Sequence, residues 1–302
     1  MRHLRLFQYI DTIAREGSVR RAAEKLYVTA SALDRRLQDV EEEIGTQLFE
    51  RHARGMRLTA AGELYINYAR RHIAESERLK SEINRLRGTQ QGRVTITVSP
   101  ALVTSFIPNI VREYRVTHPG ISISVKVAQH EAAIQDLLNY DADLAVIIAP
   151  PEHPDVLDLA VASQPILAAI DNSHPLSHEQ VLRLSDCVNY PLALPSPGLT
   201  TRRLLDAALR KLQATIRISV ETNSYEVLYS ILRGTEQIGF VLSAARLIGN
   251  DNDTIVYRPI KSRDIHPIPI ICAQLRHRVL SVAAAQFSQI VIREIENMHI
   301  LD

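Results

Sequence analysis

The chain has 302 residues, 46% of them hydrophobic, a composition that excludes a disordered or collagen-like protein. At about 100–200 residues per domain, two or three domains are expected. Lys and Arg (35) nearly balance Asp and Glu (34), and a net charge of +1 argues against a nucleic-acid binder only until the sum is divided along the chain. Residues 1–92 carry a net +4 and residues 93–302 a net −3. A modestly basic front end on a slightly acidic remainder points to two jobs in one chain. No run reaches the roughly 18 apolar residues of a membrane helix, since Leu144 to Ala149 stops at Pro150 and Pro151. The N-terminus opens directly into a helical pattern, without the apolar core of a signal peptide. Cys187 and Cys272 form no CxxC pair. Each lies in an apolar stretch, so both are expected as buried thiols of a cytoplasmic protein, with a redox pair as the unsupported alternative.

In chain order, Leu4, Phe7, Ile10 and Ile13 predict an amphipathic helix from about residue 3 to Arg15, ended by Gly17. Ser18 offers an N-cap to a short helix, Arg21 to Leu26, with Ala22, Ala23 and Leu26 inward. After a tight connection at Tyr27-Val28, Thr29 caps a third helix, Ala30 to Ile44, which buries Ala32, Leu33, Leu37, Val40 and Ile44 and closes on Gly45. Two short helices around such a turn suit a helix-turn-helix, whose second helix can enter the major groove of DNA. Thr29, Ser31, Asp34, Arg35 and Arg36 are the polar residues near that face. Arg suits guanine or phosphate, and Ser and Thr suit either more weakly. An ordinary three-helix bundle with a solvated face fits the same periodicity. Leu48-Phe49 and Met56-Arg57-Leu58 then flank a basic tip, predicting a hairpin whose Arg51 and Arg54 reach phosphates.

From Leu4 to Glu63 the sequence resembles the LysR-type transcriptional regulators. The resemblance rests on Gly17-Ser18, Ala22-Ala23-Glu24-Lys25-Leu26, Glu41-Glu42-Glu43-Ile44-Gly45, Leu48-Phe49-Glu50-Arg51 and Leu58-Thr59-Ala60-Ala61-Gly62. It implies a DNA-facing set of Ser18, Arg20, Arg21, Thr29, Ala30, Ser31, Asp34, Arg35, Arg36, Arg51 and Arg54. Two positions depart from the family's pattern. Ala30 stands where Gln is usual, which removes an adenine reader. Asp34 stands where a small hydroxyl residue is usual; it either accepts from cytosine N4 or pairs with Arg35, Arg36 or Gln38 and stays off the DNA.

Thr59 caps a long helix to about Leu86, ended by Arg87-Gly88. Tyr65, Ala69, His72, Ser76, Leu79, Ile83 and Leu86 form a heptad seam, weak at His72 and Ser76. The helix either lies on its own domain or, as the resemblance implies, pairs with a second copy; His72 is expected to pack rather than bind metal.

After Gly92, strands and helices alternate, predicting mostly parallel sheets with helices outside. Strands are read at 94–98, 121–127, 144–148, 166–170, 192–194, 216–220, 238–242, 255–258 and 268–272, with Pro-rich connections on both sides of the fourth. Helices are read at 106–118, 132–139, 200–212, 225–232 and 282–297. Ligands bind beyond the carboxyl ends of such strands. Those ends carry Ser99-Pro100, Gln129, Ala149, Ser196 and Ser243, with Thr104, Thr200 and Thr201 near helix starts. Singly these are ordinary caps and turn residues. Together they suit a small anion beside free helix N–H groups.

The resemblance extends here through Gly92-Arg93-Val94-Thr95-Ile96, Leu137 to Ala145, His174-Pro175-Leu176, Tyr225 to Leu242 and Ala283 to Phe287, with Tyr140-Asp141 where Gly is more usual. It implies an α/β multidomain chain. An all-α winged helix-turn-helix domain (1–58) and a linker helix (59–88) precede a two-lobed, periplasmic-binding-protein-like α/β domain (89–302). Lobe one is about 92–163 and 267–302, lobe two about 164–266, with hinge crossings near Gln164-Pro165 and His266-Pro267. The implied function is effector-controlled transcription regulation. The implied partners are promoter DNA, a small-molecule effector, further copies in a homodimer or homotetramer, and RNA polymerase.

No cofactor or metal is expected. An enzyme is poorly supported: Gly234 to Gly239 has P-loop glycine spacing but continues Phe240-Val241 instead of Lys-Ser/Thr, His178-Glu179 lacks a second His, and no GxSxG occurs. A stand-alone solute-binding module leaves the basic helical front end unexplained.

Overall fold

The computed structural model describes residues 2–53, 55–87, 91–247 and 254–298. Arg54 and Gly88, both named above, lie outside the described residues. The chain divides into two compact units, residues 1–89 and 90–302.

The first unit holds α1 (Arg2–Glu16), α2 (Val19–Leu26), α3 (Ala30–Ile44), a hairpin of β1 (Phe49–His52) and β2 (Gly55–Leu58), and α4 (Ala60–Leu86). Its core is Ile10, Ile13, Ala22, Ala23, Leu33, Leu37, Val40, Leu48, Phe49 and Ile66. The caps are local chemistry. Ser18 Oγ accepts from the Arg21 N–H, Thr29 Oγ1 from Ala32, and Gly45 takes the left-handed conformation that ends α3. Ala32 and Ile44 are exposed, contrary to the sequence reading. Leu33, Leu37 and Val40 alone fill the inward stripe.

Side chains tie the hairpin down. Glu41 Oε1 accepts the N–H groups of Leu48 (2.8 Å) and Phe49 (3.2 Å), and Thr59 donates its N–H to the Leu48 carbonyl. The Leu48 carbonyl also sits where a Cβ on Gly62 would point, 2.0 Å away, so only glycine lets α4 approach. Asp11 of α1, nearly buried, accepts from Arg70 of α4 at 2.6 Å.

The seam residues of α4 divide. Ala69 is buried, and Tyr65 packs edge-on against Phe7 of α1. His72 packs beside Phe7 and Tyr68, with Nδ1 2.9 Å from the Tyr68 carbonyl. Leu79, Ile83 and Leu86 are exposed, as is Leu64 at 74%. The N-terminal half therefore lies on its own domain, and the rest presents apolar side chains outward.

The second unit contains two five-stranded sheets. The first is built by β3 (Gly92–Val98), β4 (Ile121–Val127), β5 (Leu144–Ile148), β6 (Val156–Gln164) and β12 (Ile268–Leu275), in the order β4-β3-β5-β12-β6. The second is built by β7 (Ile166–Asp171), β8 (Leu192–Pro195), β9 (Ile218–Thr222), β10 (Ile238–Leu242) and β11 (Ile255–Pro259), in the order β11-β7-β10-β8-β9. Helices α5 (Phe106–Thr117), α6 (His130–Leu138) and α10 (Val282–Asn297) belong with the first sheet. Helices α7 (Leu184–Cys187), α8 (Thr200–Leu212) and α9 (Tyr225–Leu232) belong with the second. A single residue, Pro165, separates β6 from β7, and the chain returns between Pro259 and Ile268.

Four expectations are corrected. Each sheet is only half parallel: β12 runs antiparallel to β5 and β6, and β7 antiparallel to β10 and β11. The stretch read as Pro-rich connections contains the nine-residue strand β6, whose inward positions include Val156, Ala160, Ala162 and Gln164. Helix α6 begins at His130, two residues earlier than read, and β9 lies two residues later. Cys187 and Cys272 are both buried, which pushes each thiol up to about 12.

Candidate functional site

The first unit exposes Thr29, Ala30, Ser31 and Arg35 at the start of α3. Their neighbours are engaged. Arg20 pairs with Glu24 at 3.3 Å, Arg21 donates to the Glu16 carbonyl, and Arg36 lies 3.6 Å from Asp39. Asp34 bonds neither Arg35 nor Arg36. Its partners are Arg51 of β1, at 2.5 Å, and Gln38, at 3.5 Å. Arg35 has no ion-pair partner among the described residues. The face thus offers one uncommitted arginine between the short hydroxyl side chains and an acid already held by the hairpin. Such a face can place a guanidinium on a base edge.

In the second unit, the ends of β3 and β5 meet the starts of α6, α8 and α9. A cavity of about 10 Å³ lies there, lined by Ser99, Pro100, Ala101, Gln129, Ile148, Leu199, Thr200, Thr201 and Tyr225. That is room for one water molecule. The lining comes from both sheets, so the lobes are closed on one another. A hydrogen bond crosses the gap: His130 Nδ1 lies 2.9 Å from Thr200 Oγ1. Ser105 Oγ, from the first lobe, donates to the Ala244 carbonyl of the second at 3.2 Å.

The polar lining is held in place from behind. Ser99 Oγ accepts the Ile148 N–H at 3.1 Å. Thr201 Oγ1 and the Tyr225 hydroxyl are 2.6 Å apart. Burial pushes the Tyr225 phenol up to about 12, against the Thr201 hydrogen bond, so it stays neutral and serves as a hydrogen-bonding group. Buried Arg202 donates to the Pro195 carbonyl (2.9 Å) and to Asp206 (2.7 Å), fixing the turn that aims Thr200 and Thr201. Neither α6 nor α8 has a side-chain cap, so their first N–H groups are not taken up that way.

Of the sequence-derived residues, Ser99, Pro100, Gln129, Thr200 and Thr201 line the cavity. Thr104, Ala149, Ser196 and Ser243 do not. Ala149 and Ser243 donate their N–H groups to the Pro269 and Pro165 carbonyls, and Ser196 donates to the Thr222 carbonyl. Thr104 Oγ1 is buried without a hydrogen bond among the described residues. Sequence reasoning missed His130, because its helix was started too late, and Tyr225, which reads as an ordinary first residue of a helix.

Among the described residues no group of His, Cys, Asp and Glu is arranged to hold a metal, and no helix is long and apolar enough to cross a membrane.

Comparison with known proteins agrees with this geometry. Residues 4–63 match the family described as bacterial regulatory helix-turn-helix protein, lysR family. Residues 87–296 match the LysR substrate binding domain. The RuBisCO operon transcriptional regulator of Allochromatium vinosum is 26% identical over 303 residues, covering 99% of this chain and 97% of that protein. The regulator AlsR of Bacillus subtilis is 26% identical, covering 82% of each. Full-length OxyR of Pseudomonas aeruginosa has the same fold with a TM-score of 0.71 at 18% identity, covering 97% of this chain and 94% of that one. CbnR in complex with its target DNA gives 0.60 at 19%, covering 96% and 99%. The two family matches account for the chain as a regulator rather than an enzyme: it belongs to the LysR family, and is a DNA-binding transcriptional regulator with an effector-binding C-terminal domain.

Proposed function

We propose that the effector is a small anion which enters between the two lobes and parts them. The observation that carries this is the His130–Thr200 hydrogen bond across a cavity sized for one water. A ligand with several heavy atoms has to break that bond and take over its two partners. Ser99, Gln129, Thr201 and Tyr225 then complete a ring of hydrogen-bonding groups, and the starts of α6 and α8 add N–H groups suited to a carboxylate. Opening re-aims lobe two (about 164–266) against lobe one (about 92–163 and 267–302) about the crossings near Gln164-Pro165 and His266-Pro267, within a domain organisation of 1–58, 59–88 and 89–302.

At the other end, Thr29, Ala30, Ser31 and Arg35 read base edges. Ser18, Arg20, Arg21, Arg36, Arg51 and Arg54 hold the backbone. Two or four copies joined through the exposed apolar side chains of α4 read spaced half-sites in the cytoplasm, with RNA polymerase as the downstream partner. A modest regional charge of +4 makes single-unit binding weak and pairing necessary.

The test is a thermal-shift screen of small mono- and dicarboxylates on the full chain, followed by calorimetry. A hit is expected to bind wild type and to lose affinity in Thr200→Ala. A hit that binds the Thr200→Ala, Ser99→Ala double variant with wild-type affinity contradicts the reading.

A further inference from the structure

Helix α3 has a charged neighbour on each flank. Successive residues step about 100° around a helix, so Asp34 and Arg36 lie on opposite sides of Arg35. On one side Asp34 bonds Arg51 of the hairpin. On the other, Arg36 shares a cavity of about 410 Å³ with His3, Arg5, Leu6 and Tyr9 of α1. The Arg5 guanidinium stands 5.6 Å from the centre of the Tyr9 ring, a cation–π contact that restrains the charge without neutralising it. Among the described residues, no carboxylate lines the cavity. The ion-pair partner of Arg36 among the described residues is Asp39, at 3.6 Å on exposed surface, a pair too weak to compete with a phosphate.

We propose that His3, Arg5 and Arg36 form a seat for a backbone phosphate of the DNA strand opposite the one the hairpin touches. The major groove is about 12 Å wide and has phosphates on both walls. A helix lying in it with Arg35 toward the floor turns its two flanks to the two walls. The hairpin supplies a cation to one wall. The cavity between α1 and α3 supplies two arginines, an imidazole and a phenol to the other. Three of these groups come from the first nine residues, so α1 serves as a DNA-contacting element as well as a packing element. The proposal rests on α3 entering the major groove.

The test is fluorescence anisotropy of the full chain with short random-sequence duplexes, between about 50 and about 200 mM salt. Arg5→Ala is expected to bind every duplex more weakly. The slope of log K against log salt becomes shallower by about 0.9 for each subunit in contact, while Arg5→Lys keeps the wild-type slope. A wild-type slope in Arg5→Ala overturns the proposal even if affinity falls, because lost packing weakens binding without removing a phosphate contact. Should Arg5→Ala fail to fold, Arg36→Ala, which removes an exposed side chain, carries the same test and the same criterion. A parallel Arg35→Ala selection reports on α3 itself. Unchanged base preference there removes the groove reading and the seat with it; changed preference beside an unchanged Arg5→Ala slope removes the seat alone.

Discussion

Asp34, on the exposed face of α3, holds Arg51 of the hairpin at 2.5 Å, although 17 positions separate them in the chain. In the free protein this pair partly neutralises the cation that the hairpin turns to the DNA backbone. Asp34→Ala is therefore expected to strengthen binding to all duplexes and steepen the salt dependence. Stability changes by no more than about 1 kcal/mol, since Arg51 is mostly exposed and Asp34 partly so. Anisotropy over a salt series checks this; weaker binding in Asp34→Ala would instead make Asp34 a direct DNA contact.

Arg35 and Arg51 differ in kind. Arg35→Ala is expected to change which bases are preferred, whereas Arg51→Ala weakens all sequences alike. Selection from a randomised duplex library distinguishes them. Indistinguishable preferences for wild type and Arg35→Ala reject the base-reading role.

Gly62 is a packing prediction. An added Cβ meets the Leu48 carbonyl at 2.0 Å, and neither backbone can retreat without breaking the Thr59–Leu48 hydrogen bond. Gly62→Ala is expected to cost at least about 2 kcal/mol in the first unit. Chemical denaturation followed by helical signal measures it, and a change below about 0.5 kcal/mol contradicts the packing described.

Asp171 gives a pH-dependent prediction. The Gly234 N–H first, then Ser173 and Thr254, hold its carboxyl well below the usual carboxylate range. A depressed folded value means that the stabilisation is complete above the unfolded pKa of about 3.9 and is lost as pH falls through the folded one. Asp171→Asn is expected to destabilise by about 1–3 kcal/mol at neutral pH, with the gap narrowing below about pH 4. Urea titrations at the two pH values test it; a gap that stays constant on acidification assigns the loss to packing.

The parts of the fold that the sequence discloses are those governed by neighbours a few residues apart. Thr29, Gly45 and Thr59 act on their own helix ends, so the bounds of α3 and the start of α4 are legible. Strand β6 is not, because Ala160 and Ala162 give too little hydrophobic contrast for alternation to show after three prolines at 150, 151 and 154. Strand direction is equally silent: β7 runs antiparallel to β10 because Pro165 delivers it from the other sheet, a fact of tertiary path. The cleft is legible as a cluster of strand ends, which gives Ser99 and Thr200. It is illegible as a closed gap, because His130 and Thr200 meet across 70 residues and only the packed lobes bring them together. Asp34 is legible in part for the same reason: local spacing offers Arg35, Arg36 and Gln38, of which Gln38 does bond it, while the tertiary fold supplies the shorter contact with Arg51.

The most direct test of effector control is a footprint of the full chain on its bound promoter fragment, with and without the carboxylate that gives the largest thermal shift. Ligand saturating the cleft is expected to change the length or spacing of the protected half-sites, and Thr200→Ala to blunt this change at the same ligand concentration. An identical footprint and identical DNA affinity at saturating ligand, in a protein that calorimetry shows to be bound, would contradict effector control.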